Sequence, residues 1–324
     1  MAFANTSISD LMATAIDSRT GEIADNVAWS NPILSNLKQK GRIKTASGGN
    51  QIIEELSFTQ NPNGGAYDGY DPLPMAPADV ISASQWDWKQ YAVPVVISGR
   101  EEMQNSGKEA LLDLLESRLE VAQSTMANLI ETGLYGDGTG YGGKALVGLA
   151  AIVENLATAS QTSTVGGISR TLWPFWRSYY ATATTATAAN LQAAMATMYG
   201  ALQRGSDAPD VIIMGSEMWG EWLASQQNLQ RFTDPNKAKA GFTTMAYMNA
   251  DVYSGGGIGG LVAAKHILAL NTKFLRFRPH SQRNFVSLPS HRSWNSDASG
   301  TTLAFMGAFT CRGAQFQGRF VSSD

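Results

Sequence analysis

Apolar and polar residues alternate from Gln51 to Thr59 and again from Val80 to Ile97, the period-two pattern of strands. Between them runs NPNGGAYDGYDPLPMAPAD, with four prolines, three glycines and hardly any aliphatic side chains. Such a segment cannot repay its own ordering entropy, so it is either disordered or held by another chain. Connections this long inside a compact domain are uncommon and usually functional. The spacing of Leu111, Leu115, Leu119, Ala122, Met126, Leu129 and Ile130 predicts a helix over 107–133, opened by the capping box Ser106 and Glu109 and closed at Gly133. Its length is about seven turns, roughly 40 Å. Leu112 and Leu114 widen the apolar stripe, so this strut packs on a sheet or on several elements.

The flanking regions pattern less strongly. Residues 1–50 read as an arm, with a short amphipathic helix at Ile8 to Ile16 and little periodicity afterwards. In the returning strand, Trp86 and Trp88 share one face of the pleat and either cover the chain's own core or meet a partner. Pro94 removes a ladder donor, which places that strand at a sheet edge. From about 146 to 265 the chain turns to small residues with few charges. There ATAANLQAAMATMYGALQRG predicts a helix ending at Gly205, DVIIMG a buried strand, and SEMWGEWLASQQNL a second helix, a compact mixed unit. Its low charge and the run SGGGIGG at 254–260 suit flat surfaces pressed against something else. HILALNTKFLRFRP reads as a strand, and TTLAFMGAFTCRGAQFQGRF as one or two strands kinked at Gly307 and Gly313.

Composition narrows the class. The chain has 324 residues, 44% of them hydrophobic, enough for a sizeable core and about two domains. A formal net charge of -3 excludes a generally basic nucleic-acid binder. The last segment runs the other way: Lys273, Arg276, Arg278, Arg283, Arg292, Arg312 and Arg319 face only Asp297 and Asp324. These arginines contact a polyanion, bond carboxylates of another chain, or are solvated, and pairing with carboxylates is the expectation because the bidentate guanidinium suits contacts within an acidic protein. The lone Cys311 reads as a small buried hydrophobe in a reducing cytoplasm. No apolar run is long enough to span a membrane, and the first residues do not form a signal peptide.

Candidate chemistry is sparse. GTGYGGK at Gly138 to Lys144 meets part of the phosphate-loop pattern, but Ala145 stands where the magnesium-holding hydroxyl belongs, and the stretch follows a helix instead of a strand. Two G-x-G-x-x-G matches, at Gly138 and at Gly255, are weak, and the second lacks the ribose-binding acid. His266, His280 and His291 show no metal spacing, and Glu54-Glu55 and Glu101-Glu102 are adjacent pairs that point to opposite faces on a strand. No catalytic group, cofactor or metal ligand is expected.

The order of arm, hairpin excursion, long helix, glycine turn, low-charge mixed unit and arginine-bearing closing strands resembles the major capsid proteins of tailed bacteriophages, which carry the fold named after phage Hong Kong 97. The most specific stretch runs from IETGLYGDGTG through GLAAIVENL to GGISRTLWPFWRSYY. The resemblance implies an α+β chain with an N-terminal arm at 1–50, an extended β-hairpin loop at 51–97, a peripheral domain with its spine helix at 98–144, an axial domain at 145–265 and closing peripheral strands at 266–324. It implies hexamers and pentamers of a virion capsid around double-stranded DNA, assembled in a bacterial cytoplasm, with Asn63, Gly64, Tyr67, Tyr70, Trp86, Trp88, Arg276, Arg278 and Arg283 expected at subunit contacts. Some members crosslink through a lysine in the loop, yet none lies between Lys44 and Lys89 here, so noncovalent contacts or a separate cement protein are expected. The arm begins almost at once, which leaves any scaffolding protein, like the portal, as a separate chain. An encapsulin-type compartment shares the fold and is the first alternative. A nucleotide-binding enzyme using Gly138 to Lys144 is the remote one.

Overall fold

The computed structural model describes residues 32–71, 76–104, 108–183, 187–226, 244–255, 260–289, 291–292 and 297–323. The expected helix at Ile8 to Ile16, the capping serine Ser106 and most of the glycine run at 254–260 lie outside them. The arm is more regular than its sequence reads: α1 (Pro32–Gln39) opens on a proline, which suits a first helical turn, and buries Ile33, Leu34 and Leu37. Beyond it, Ile43 and Ala46 run parallel to Phe277 and His280.

The stem of the excursion is a two-stranded antiparallel ribbon, β1 (Gln51–Ser57) against β2 (Ile81–Asp87), in which Ile52 faces Trp86 and Ser57 faces Ile81. The returning stretch is two strands, not the single one its alternation predicts. It breaks at Trp88, and β3 (Lys89–Ser98) enters another sheet, where its ten residues alternate strictly between buried and less buried positions. A short helix α2 (Gly99–Gln104) then leads into α3 (Lys108–Tyr135), 28 residues long. Leu119, Ala122, Met126, Ile130 and Leu134 form its buried stripe, and the helix packs on β3.

After α3 come a glycine turn, the small hairpin β4 (Thr164–Val165) with β5 (Ile168–Ser169), and β6 (Tyr179–Ala183). Helix α4 (Ala188–Leu202) starts at a capping box made by Thr187 and Asn190. Strand β7 (Val211–Met214) is buried at all four positions, as its unbroken apolar run requires, and feeds α5 (Ser216–Ser225). The remaining strands are β8 (Thr244–Tyr247), β9 (Ala250–Ser254), β10 (His266–Leu270), β11 (Leu275–Ser287), β12 (His291–Arg292), β13 (Ala298–Cys311) and β14 (Gly318–Ser322).

Two larger sheets organise these strands. In the first, β13 runs through the middle with β3 along one side and β11 and β12 along the other. Among the described residues β3 is an edge, as Pro94 requires. Gly307 is not a kink: β13 passes straight through it, and a Cβ there would strike Phe305 and the Arg278 carbonyl. The irregularity lies opposite, where β11 bulges between Pro279 and Val286. The second sheet has the order β6-β14-β10-β7-β9-β8. Here the expected continuous strand from His266 is corrected, because a 3-10 turn at Thr272–Phe274 sends β10 and β11 into different sheets. Strands β10 and β14 pair with each other and with β7 and β6, respectively. One face of this sheet packs under α4 and α5 through Leu191, Met195, Met198, Met218 and Trp222, and the other joins the larger core around α3 and the first sheet.

Candidate functional site

Strand β1 places Ile52, Glu54 and Leu56 on one face, and all three are buried, Glu54 to 2% exposure. A carboxylate costs several kcal/mol to bury unpaired, so its surroundings are decisive. On β11 the core face carries Leu275 and Phe277 while the opposite face carries Arg276 and Arg278, and the β1–β2 ribbon lies over that second face. Arg278 donates from Nε and Nη2 to Glu54 Oε1 at 2.7 and 2.6 Å, Arg276 Nη1 donates to Oε2 at 3.2 Å, and Arg312 Nε lies 3.4 Å from Oε2. The Thr310 hydroxyl adds a bond to Oε1 at 3.3 Å, and Arg312 Nε also donates to the Glu55 carbonyl at 2.9 Å. Ser84, opposite Glu54, donates to the Cys311 carbonyl at 3.1 Å. The ribbon is thus pinned to the end of β13 and to β11 by a carboxylate clamped between three guanidiniums.

Three of the residues expected at subunit contacts make bonds within the chain here. Arg276 and Arg278 bond a carboxylate of their own chain, Glu54. Trp86 is 3% exposed, its Nε1 donates to Ser84 Oγ at 3.0 Å, and it packs in the core of its own chain. Trp88 is half-buried, donating from Nε1 to the Gly49 carbonyl at 2.9 Å and meeting the His280 ring edge-on at 5.2 Å. Arg283 sits exposed in the β11 bulge.

The far end of the ribbon behaves differently. Asn63 Nδ2 donates to the Ala76 carbonyl at 2.6 Å and ties the two limbs together, while Gly64 N–H closes a turn onto the Asn61 carbonyl at 3.1 Å. Asp68 and Asp71 cap their own turn through backbone N–H groups at 2.8 and 3.0 Å. Tyr67 is 65% exposed and Tyr70 fully so. Large aromatic rings left in water at a tip whose bonds are local form a surface for something else.

A third element braces the base of the ribbon. Arg170, completely buried, donates to the carbonyls of Ala151, Ile152 and Trp176 at 3.1, 2.6 and 3.1 Å and to Glu154 Oε2 at 2.9 Å. Burial lowers its pKa and Glu154 opposes that shift. This guanidinium folds the stretch 151–176 around itself and brings Trp173 and Phe175 against Phe58, with ring centroids 5.6 and 5.5 Å away. Leu172 and Trp173 stay exposed, as does Ile81 on β2. The stretch Gly138–Lys144 is a left-handed turn after α3, with Tyr141, Gly142 and Gly143 at positive φ and the Gly143 carbonyl accepting from Lys89 Nζ at 2.7 Å. Among the described residues no group of three or more His, Cys, Asp or Glu side chains is placed to hold a metal.

Sequence reasoning missed Glu54 and Arg170 as organising residues. Glu54 had a signal, an acid in phase with Ile52 and Leu56, so that its face was legible although its partners were not. Arg170 had none beyond its place in the distinctive run ISRTLWPFW.

No protein-family model and no curated protein matches the chain. Solved structures do. The capsid asymmetric unit of cyanophage A-1(L) is similar over 87% of this chain and 91% of its own, with a TM-score of 0.61 and 14% identity. The procapsid of satellite phage P4 with its size determination protein is similar over 99% and 92%, with a TM-score of 0.54 and 10% identity. The SrpI encapsulin of Synechococcus elongatus is similar over 91% and 88%, with a TM-score of 0.50 and 8% identity. At such identities what is shared is the path of the backbone, and it is shared over nearly the full length. The chain carries the α+β Hong Kong 97-type fold of phage capsid proteins.

Proposed function

We propose that this chain is the major capsid protein of a tailed double-stranded DNA bacteriophage or prophage, a structural subunit that assembles through hexamers and pentamers into an icosahedral head. The observation that carries the reading is the ribbon: a stem clamped at Glu54 holds out a tip whose tyrosines stand in water. A chain folding for itself alone gains nothing from ordering such a tip. A shell subunit gains a contact that closed symmetry repeats. The likeness to capsid subunits of cyanophage A-1(L) and satellite phage P4 supports the same reading. In it, 51–97 is the extended loop, α3 the spine, and α4 and α5 belong to the axial domain. DNA fills the interior, and scaffolding, portal and cement proteins are its candidate partners.

The likeness to the SrpI encapsulin favours one second reading, a protein compartment with the same fold. Electron microscopy of the purified full-length chain tests the first step of both, with closed particles of tens of nanometres expected. A subunit that stays single at high concentration in every buffer would overturn both readings. Particles induced from the native host separate them: nuclease-resistant DNA inside marks a phage head, and an enclosed protein cargo without DNA marks a compartment.

A further inference from the structure

Where the arm, the root of the ribbon and the two large sheets meet lies a cleft of about 490 Å³ lined by Arg42, Arg204, Lys273, Arg276 and Arg312, with Glu55 as the lone carboxylate. Part of this charge is matched. Lys273 Nζ reaches Asp207 at 2.5 Å, and Arg276 and Arg312 share Glu54 with Arg278. Arg42 and Arg204 have no carboxylate partner among the described residues. With Arg278 counted, six cations thus face three carboxylates, Glu54, Glu55 and Asp207. The Nε groups of Arg42 and Arg276 are also buried without an acceptor, which in a folded protein marks a missing partner. Burial and the charges of Arg312, Arg278 and Arg42 pull the pKa of Arg276 down, against Glu54. The cleft is short of negative charge.

Separate stretches of chain supply the cations. Arg42 follows α1, Arg204 follows α4, Lys273 lies in the turn between β10 and β11, Arg276 is on β11 and Arg312 follows β13. Their side chains converge on one concave site instead of running as a track along the surface. A polymer backbone is met by a track, whereas a short, multiply charged anion suits a point of convergence. Guanidiniums bond phosphate oxygens in pairs, and adjacent phosphates bring several charges into one small volume, as an unmatched excess of cations requires. Phe274 and Phe316, stacked with centroids 4.2 Å apart, add an aromatic wall.

We infer that the cleft binds a small polyphosphate, inorganic triphosphate or the triphosphate of a nucleotide, with Arg42, Arg204, Arg276 and Arg312 donating to its oxygens. Bound there, the anion ties the arm, the end of α4 and the sheet of β11 to the root of the ribbon. It acts as a staple and not as a substrate, and it stabilises the folded subunit by binding that state alone. The inference does not depend on the shell reading, which concerns what one subunit does with another.

The test is calorimetric titration of the full-length chain with inorganic triphosphate at fixed ionic strength. Binding is expected, weaker as salt rises, and a hundredfold excess over Kd should raise the midpoint of thermal unfolding by about 4 °C. Arg42→Gln and Arg204→Gln should each weaken binding about tenfold or more. Arg100→Gln, at an exposed position outside the cleft, should leave it unchanged. Without ligand, both cleft variants should unfold at the parent's temperature or above it, because each removes an unmatched charge. A cleft variant that melts below the parent would show its arginine already matched and would overturn the inference. ATP in place of inorganic triphosphate distinguishes the sources: equal affinity assigns the site to the phosphate chain, tighter binding adds the base to the Phe274–Phe316 wall, and both support the inference. No binding, binding that survives both cleft substitutions, or an equal loss in Arg100→Gln would overturn it. So would a DNA duplex that binds through Arg42 and Arg204 where triphosphate does not, which would make the cleft a nucleic-acid contact. Each of these failures leaves the shell reading intact, and a chain that never assembles yet binds triphosphate through these arginines overturns the shell reading alone.

Discussion

Glu54 carries more of this structure than any catalytic-looking residue does. One buried carboxylate neutralises parts of three guanidiniums drawn from β11 and the end of β13, so removing its charge leaves cations facing one another. Glu54→Gln is expected to destabilise the subunit by about 3 kcal/mol, the low end for breaking a buried pair because the arginines keep some water. Urea unfolding of the unassembled chain measures this, and hydrogen exchange should show the loss concentrated in β1. Cys311 gives a second residue-scale prediction. Burial pushes its thiol up to about 12, against 9.0 for a free thiol. Its folded pKa is raised, so the unfolded chain loses the proton first, and the stability contributed is full below pH 9 and declines as pH rises toward 12. The fall in unfolding free energy between pH 8 and about 10.5 should therefore be shallower in Cys311→Ala than in the parent. In native buffer at pH 8 the thiol should resist a disulfide reagent until the chain is unfolded.

At the scale of elements, the critical joint lies where α3 hands over to the turn before Leu149. A Cβ on Gly148 would collide with the carbonyls of Gly133 and Leu134, and one on Gly133 would strike the Tyr91 hydroxyl, which itself accepts from Leu146 N–H at 2.9 Å. Helix, edge strand and turn meet there with no room for a methyl group. Gly148→Ala should cost about 1–3 kcal/mol. Gly142→Ala, in the open glycine turn, meets nothing within 4 Å and should cost less, through its positive φ alone. Paired thermal melts of the two variants check the ranking. The helix α3, strand β7 and helices α4 and α5 were legible because apolar periodicity is local. Trp88 as a break, and the 3-10 turn separating β10 from β11, were not, because alternation continues through both and only pairing partners reveal the change of sheet.

For the whole molecule, fold and assembly separate cleanly. The tip makes local bonds, and loop-closure entropy changes slowly with length. Replacing residues 61–79 with a short glycine-serine turn should therefore leave the unfolding free energy of the lone subunit within about 1 kcal/mol. It should abolish closed particles seen by electron microscopy. A shortened chain that still built shells would show that the ribbon tip is dispensable. Of the residues expected at contacts, Asn63, Gly64, Tyr67 and Tyr70 stand at the tip, while Trp86, Arg276 and Arg278 also make bonds within their own chain.

From its sequence alone this protein declared which segments are regular, which one cannot fold for itself, and which broad architecture its element order resembles. Those are properties of neighbours along the chain, where propensity, periodicity and burial act over a few residues. Tertiary structure alone decided that Glu54 answers to arginines more than 220 positions away, that β10 and β14 join β7, and that Trp86 faces inward. Pairings of that range depend on which faces the folded sheets bring together, and no local pattern records the charge or the surface waiting on the other side.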